Sequence, residues 1–281
     1  METSELRRAV AAAMATASAL GLPADDVTVL HNSNKLTLRL RPCDVVARVA
    51  PAPVVPGAVA QLASEVDLAQ SLAEAGCPVA ALDPRAGARV HEQGGYAMTL
   101  WTYYDPQPPP HHLSPPEYAT ALGGLHAGMR QLATPTPHFT DRVEQAQRLV
   151  ANHDRTPALT DPDRNLLAET LRDLRRTITG RGATEQLLHG EPHPGNILST
   201  HTGLRFVDLE TCCRGPIEFD LAHAPEGVGE HYPATVDQPL LRDCRRLVLA
   251  MITTWRWNRD DEYPEGRRLA REWLAELREG C

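Results

Sequence analysis

The sequence is nearly devoid of lysine: Lys35 stands alone against 27 arginines among 28 basic side chains. Aromatic residues are also scarce, at 5%. Positive charge is not in surplus, since 36 acidic residues against 28 basic ones leave a formal net charge of −8. That balance argues against a general nucleic-acid-binding protein, which needs excess Lys and Arg for the phosphates, and it favours a cationic partner. Six cysteines, at 43, 77, 212, 213, 244 and 281, form no C-x-x-C pair and no Cys/His spacing of zinc type. They read as small apolar side chains and a terminal thiol, in keeping with a reducing compartment. No run reaches the roughly 18–20 strongly apolar residues of a membrane span, so no membrane partner is expected. The Ala-rich run after Arg7-Arg8 contains little leucine and follows Glu2 and Glu5. It reads as a helix capped near Thr3 or Ser4 and closed by Gly21-Leu22-Pro23 rather than as a signal peptide, and the expected location is the cytoplasm.

What is present is an ordinary globular composition, 42% apolar and 23% charged, over 281 residues. That is enough for one large domain or two modest ones. Val27–Leu30, Leu36–Leu40 and Val45–Val49 are short β-branched or alternating runs between turn residues, and they predict successive antiparallel strands. From Ala58 to Ala75, apolar residues recur at steps of three and four, and Gly76 suits the C-cap of the helix this predicts. Gln93-Gly94-Gly95 between Arg89–Glu92 and Tyr96–Leu100 predicts a hairpin. A proline-rich break follows Asp105, and the adjacent His111-His112 pair within it reads as linker. Ser114-Pro115-Pro116-Glu117 opens a helix to about Leu132. Further helices are predicted over 141–152, 161–179, 236–258 and 264–279. Strands first and helices after give an α+β chain: a small antiparallel-sheet lobe with one main helix (1–104), then a larger helical lobe (105–281).

The stretch Leu187–Leu198, followed by Leu204–Glu210, concentrates the chemistry. It places a carboxylate, Glu191, and an amide, Asn196, on a loop rich in Pro and Gly, where backbone freedom is small. Ile197-Leu198 and Leu204–Val207 form a hairpin around His201-Thr202-Gly203, and Asp208 follows its second strand. Two oxygen ligands, Asn196 and Asp208, beside a separate carboxylate suit a Mg²⁺–phosphate site, because Mg²⁺ takes a few protein oxygens and completes its shell with phosphates and water. The order His189-x-Glu191-x-x-x-x-Asn196, with Asp208 a dozen residues on, is the spacing of a kinase catalytic loop.

In the form His189-Gly190-Glu191-Pro192-His193-Pro194-Gly195-Asn196, this stretch resembles the aminoglycoside phosphotransferase family and its choline-kinase-like relatives. Gly215-Pro-Ile-Glu-Phe-Asp220-Leu-Ala222 and Leu122-Gly-Gly-Leu-His-Ala127 are similar to further motifs of that family, and the likeness runs from about residue 25 to 225. The resemblance implies a bilobal protein-kinase-like fold and an ATP-dependent transfer of the γ-phosphoryl group to a small-molecule hydroxyl, with GTP as the alternative donor. It implies Glu191 as the base for the acceptor hydroxyl, His189 at the catalytic loop, and Asn196 and Asp208 on Mg²⁺. Arg48 would be the β-strand cation on the phosphates, held by Glu65 or by Asp67. Residues His31–Lys35, with Ser33 and Asn34, would form the phosphate loop. Backbone groups of Met98–Thr102, Leu100 and Thr102 among them, would hold adenine. Asp220 would tether the catalytic loop from below, or else cap the helix Leu221-Ala-His-Ala.

The acceptor implied is cationic: an aminoglycoside or a basic cyclic peptide of the tuberactinomycin type, inactivated by the transfer. Asp260 and Asp261, beside Trp255-Arg-Trp257, are candidate docking acids, with a solvated helix end as the alternative reading. Choline, homoserine, sugar and macrolide kinases share the resemblance. The chain departs from the family pattern in three ways: Glu191 stands for the usual Asp, the phosphate loop contains no glycine, and Arg48 stands for the usual Lys. The first of these makes a nucleotide-binding pseudokinase the rival expectation. A monomer or homodimer fits either reading.

Overall fold

The computed structural model describes residues 3–32, 34–52, 56–105 and 114–279. In chain order the elements are α1 (Thr3–Ala19), β1 (Ala24–Asn32), β2 (Leu36–Pro42), β3 (Val45–Val49), α2 (Pro56–Glu74), β4 (His91–Gln93), β5 (Tyr96–Thr102), α3 (Pro115–Met129), α4 (Phe139–Ala151), α5 (Asp161–Gly180), β6 (Glu185–Leu188), β7 (Ile197–Thr200), β8 (Gly203–Phe206), β9 (Cys213–Pro216), α6 (Ile217–His223), α7 (Val228–His231), α8 (Gln238–Arg256) and α9 (Gly266–Glu279). They fall into two compact units, Met1–Leu113 with Gly195–Glu210, and Ser114–Pro194 with Thr211–Cys281.

The first unit is built on a five-stranded antiparallel sheet of order β1-β2-β3-β5-β4. Alternation sets its faces: in β2 the residues Leu36, Leu38 and Leu40 are buried, and in β3 Val45, Ala47 and Val49 are. Onto that buried face packs α1, through Ala9, Ala12, Ala13 and Ala17. Alanine at those positions lets the helix lie close to the leucine row, which explains an apolar run rich in alanine rather than leucine. On the other part of the sheet Leu62 of α2 packs with Ala50 and Ala97. The register Arg48↔Thr99 fixes Arg48 on β3, facing away from the leucine row by the period of two.

Residues Gly195–Glu210, which sequence reading places in the helical lobe, fold with this first unit. The cause is backbone pairing of the β7–β8 hairpin with the segment after α2: Ala80 donates to the Phe206 carbonyl at 2.9 Å, and Phe206 donates to that of Pro78 at 2.7 Å. Arg205 adds a hydrogen bond to the Val79 carbonyl.

The second unit is mostly helical. Its core is Phe139, Val143 and Val150 of α4, Leu167 and Leu171 of α5, Leu247 and Met251 of α8, and Leu274 and Leu277 of α9. Hydroxyl and carboxylate caps start α3, α5 and α8, with Ser114, Thr160 and Asp237 each accepting a backbone N–H. The two-stranded pair β6–β9 and the short helix α7 were not legible in the sequence, and α6 begins earlier than the helix read at Leu221. Cys43, Cys77, Cys212, Cys213 and Cys244 are buried and form no disulfide. No helix among the described residues is long and apolar enough to cross a membrane.

Leu38 is fully buried under α1. Its replacement by alanine is expected to cost about 2–5 kcal/mol, lost transfer energy plus a cavity. Urea unfolding of Leu38→Ala reads this directly, and an unchanged midpoint would refute the packing described.

Candidate active site

In the first unit, five charged side chains converge. Glu65, on α2, has a side-chain exposure of 0% and holds two cations, one on each oxygen. Arg48 Nη1 bonds Oε1, and Lys35 Nζ lies 3.3 Å from Oε2. Arg48 continues through Nη2 to Asp208 Oδ1, and Lys35 continues to Glu210. Burial works against the Arg48 charge, but Glu65, Asp208 and Glu210 outweigh it and hold the guanidinium above its ordinary range. Asp67, the alternative partner for Arg48, is exposed on α2.

The β7–β8 hairpin brings Asn196 and Asp208 to its open end, where Val207 N–H donates to the Asn196 carbonyl at 3.0 Å. Asp208 has φ of 66°, in the left-handed region that few non-glycine residues adopt, and such outliers gather at functional positions. As a donor set for a divalent cation, Asn196 and Asp208 offer one amide and one carboxylate, with Glu210 two residues on. Among the described residues no group of three or more His, Cys, Asp or Glu side chains is placed to hold a metal alone. The oxygen donors fit Mg²⁺ that completes its shell with phosphates and water, and they do not fit zinc.

The other expected nucleotide contacts are Ser33, Asn34, Leu100 and Thr102. Asn34 is exposed, and Ser33 lies outside the described residues. Leu100 and Thr102 both belong to β5, and one backbone group of each is paired within the unit. The Leu100 carbonyl accepts from Asp83 N–H at 3.0 Å, and Thr102 N–H donates to the Ala81 carbonyl at 2.9 Å. Sequence reading ends the strand at Leu100, whereas β5 continues to Thr102 and is flanked there by the segment 81–83. The expected linker histidines, His111 and His112, lie outside the described residues.

In the second unit a buried chain of hydrogen bonds fixes the loop that carries Glu191. Asp220, fully buried on α6, accepts from the backbone N–H of His189 at 2.9 Å and of Gly190 at 2.8 Å. Its Oδ2 also meets His126 Nε2 at 2.8 Å, and His126 Nδ1 meets the Tyr232 hydroxyl at 2.7 Å. Burial pushes the Asp220 carboxyl up; the His126 hydrogen bond, the neighbouring His126 and His189 rings and the Gly190 N–H more than offset it, so the carboxyl lies below its ordinary range. Asp220 is thus the tether of the loop. It does not cap a helix, because α6 already starts at Ile217 with Pro216 as its N-cap residue.

His189 is likewise buried, with its carbonyl accepting from Thr211 and its Nδ1 3.3 Å from the Glu191 N–H. Gly190 has φ of 87°, and a Cβ there would stand 2.0 Å from the Thr211 carbonyl oxygen. Only glycine satisfies both conditions. Tyr118 donates its hydroxyl to the Pro192 carbonyl, a further anchor from α3.

Glu191 itself pairs with Arg142 of α4, Nη2 to Oε1 at 2.5 Å. The Arg142 guanidinium lies 5.1 Å from the Trp255 ring centroid, and its Nη1 is buried without a hydrogen-bond partner. Nothing in the local sequence signals this partner, which lies 49 residues before Glu191. The candidate docking acids are also engaged: Asp260 pairs with Arg155 at 3.0 Å and Asp261 with Arg256 at 2.7 Å.

A model of the phosphotransferase enzyme family (APH) matches residues 26–276. No curated protein matches the chain in sequence. Among solved structures, the GDP complex of wild-type aminoglycoside 2'-phosphotransferase-IIIa is similar with a TM-score of 0.71 at 15% identity, covering 97% of this chain and 99% of that one. The microcompartment-associated aminopropanol kinase gives 0.70 at 14% identity, covering 94% of each chain. The aminoglycoside phosphotransferase APH(3'')-Id of Streptomyces rimosus gives 0.64 at 19%, covering 88% of this chain and 98% of that one. The fold is that of the protein-kinase-like small-molecule kinases.

His223, on α6, has a buried Nε2 without a hydrogen-bond partner, and desolvation pushes its imidazole down to about 3. An ordinary value near 6.5 in the unfolded chain means that unfolding takes up a proton below that pH. The stability His223 contributes is therefore complete above about 6.5 and lost as the pH falls from there toward 3, with a slope of up to ~1.4 kcal/mol per pH unit. Asp220, lowered as a carboxylate, loses its contribution only below about 3.8. Denaturant midpoints at pH 7 and pH 5 are expected to differ in the native chain and to differ less in His223→Gln. Equal drops in both chains would refute the assignment.

Proposed function

The chain belongs to the phosphotransferase enzyme family, and from that membership we propose that it transfers the γ-phosphoryl group of Mg·ATP to a hydroxyl of a cationic small molecule. The observation that carries the reading is Arg48 shared between Glu65 and Asp208. A strand cation, the buried acid that orients it and the carboxylate proposed for the metal meet in one network, which is what phosphate positioning needs.

In this reading Arg48 turns its fork to the nucleotide phosphates while Glu65 keeps hold of it. Asn196 and Asp208 hold Mg²⁺, which when bound neutralises charge on the phosphates. Glu191 accepts the proton of the acceptor hydroxyl and orients its oxygen for in-line attack. Its side chain is one methylene longer than the usual Asp, and Arg142 restricts where that longer carboxylate can point. Asp220 and His189 hold the loop rather than touch the reacting atoms.

For the acceptor, the net charge of −8 and the aminoglycoside enzymes among the similar structures support a cationic hydroxylated antibiotic, an aminoglycoside or a basic cyclic peptide. A second reading is a small metabolite such as an amino alcohol or a sugar. It is favoured by Asp260 and Asp261, whose charges arginines already meet, and by Arg142 at Glu191.

ATP consumption with a panel of aminoglycosides, basic cyclic peptides, amino alcohols and sugars decides between them. Turnover with a cationic antibiotic is expected; turnover confined to a metabolite supports the second reading, and tight Mg·ATP binding without any turnover would refute transfer altogether. With the accepted substrate, Asp208→Ala is expected to abolish transfer. Glu191→Gln is expected to lower kcat by about 10²–10⁴-fold while leaving ATP affinity unchanged. Retained turnover in Asp208→Ala would sink the metal assignment, and equal loss of rate and ATP affinity in Glu191→Gln would sink the base.

A further inference from the structure

The single lysine of the chain is not a solvated surface residue. Its side chain is 11% exposed, and it meets two carboxylates, Glu65 and Glu210, whose side chains are 0% and 16% exposed. The cluster of Lys35, Arg48, Glu65, Asp208 and Glu210 carries two positive and three negative charges. Taking an ammonium out of water is costly unless its partners are close and well placed. Arginine serves at every other basic position in this sequence, so composition does not account for a lysine here.

The two side chains differ in what they can do at such a place. A guanidinium is a rigid planar fork suited to two fixed acceptors, and Arg48 uses it that way, between Glu65 and Asp208. An ammonium is a compact charge with three donors on a flexible stem. Two of those donors are taken here, and the charge can pass from one acceptor to the next without reorienting a plane.

We propose that Lys35 is a nucleotide-phosphate ligand, held by Glu65 and parked on Glu210 until the nucleotide exchanges a phosphate oxygen for the Glu210 carboxylate. This rests on the reading of the first unit as the nucleotide site and adds to it the second phosphate cation and its placeholder. Electrostatics favours such an exchange. Mg·ATP carries net negative charge, and it enters a cluster that is itself at −1. In the exchange both cations turn from carboxylates to phosphates, Arg48 from Asp208 and Lys35 from Glu210. The two carboxylates released, two residues apart in the chain, then stand available to the cation that arrives with the phosphates. The lysine absent from β3 is in effect supplied by the connection between β1 and β2, and it meets the same glutamate.

The test uses the full chain and two readouts other than turnover. Because the sequence holds one lysine, acylation by an amine-reactive ester, read by peptide mass spectrometry at Lys35, reports one site. Saturating Mg·ATP is expected to slow acylation of Lys35 by about tenfold or more. Calorimetric titration without Mg²⁺ then separates the placeholder. Glu210→Gln is expected to bind ATP several-fold more tightly than the native chain, since the competing carboxylate is gone, and Lys35→Met/Glu210→Gln is expected to lose that gain. A role for Lys35 as a structural tie predicts no gain in Glu210→Gln. If the native chain binds ATP while Lys35 acylation is unaffected, the proposal is overturned and the nucleotide-site reading survives; absence of a gain in a folded Glu210→Gln variant overturns the placeholder. If the native chain binds no nucleotide, the underlying reading falls. The acylation arm stands on the native chain alone, so it decides even where a variant fails to fold.

Discussion

A carboxylate taken out of water has to be neutralised where it stands, and the first unit is organised around one that is. Glu65 lies on α2 with no exposed side-chain surface, and each of its oxygens meets a different cation. Because Arg48 is fixed by the β3 register and Lys35 by the start of β2, the position of Glu65 sets where both positive charges lie. Those cations in turn reach Asp208 and Glu210 at the end of the β7–β8 hairpin. Strand register, helix packing and the acids of the hairpin thus close on one buried group. Removing it would leave two cations without their shared anchor.

The second unit solves a parallel problem with a different carboxylate. Asp220 is buried among neutral hydrogen-bond donors and imidazoles rather than arginines, and it spends its oxygens on the backbone of His189 and Gly190. A loop held through its backbone keeps its side chains available, and Glu191 is carried on such a loop. Gly190 shows how tight the arrangement is, since its φ is positive and a Cβ there would run into the Thr211 carbonyl. The pairing of Glu191 with Arg142 adds a constraint on the side chain itself. It suits an acid with one more rotatable bond than aspartate.

Much of this was legible in the sequence because it rests on local signals. Alternation in 36–40 and 45–49 marked β2 and β3, helical periodicity marked α2 and α5, and a cap marked α3. The spacing from His189 to Asp208 drew the candidate residues together before any geometry was known. What stayed hidden depends on partners distant in the chain. Arg142 sits on an amphipathic helix where an arginine is unremarkable, and only tertiary packing brings it to Glu191. The extension of β5 to Thr102 was not visible because the run 81–83 carries no strand signal, yet its backbone pairs with Leu100 and Thr102. The hairpin 197–206 joins the sheet-bearing unit for the same reason, through backbone pairing with 78–80 that side-chain patterns do not announce. Lysine scarcity was visible from the start, but its significance rests on where the one lysine lies.

The account depends on Glu65 as the anchor of a phosphate-binding pair of cations. The most direct measurement is the Kd for Mg·ATP of Glu65→Gln against the native chain, by calorimetric titration, with circular dichroism confirming that both are folded. The account predicts a Kd raised by about tenfold or more, because the cations lose the charge that orients them. An unchanged Kd in a folded Glu65→Gln variant would contradict it.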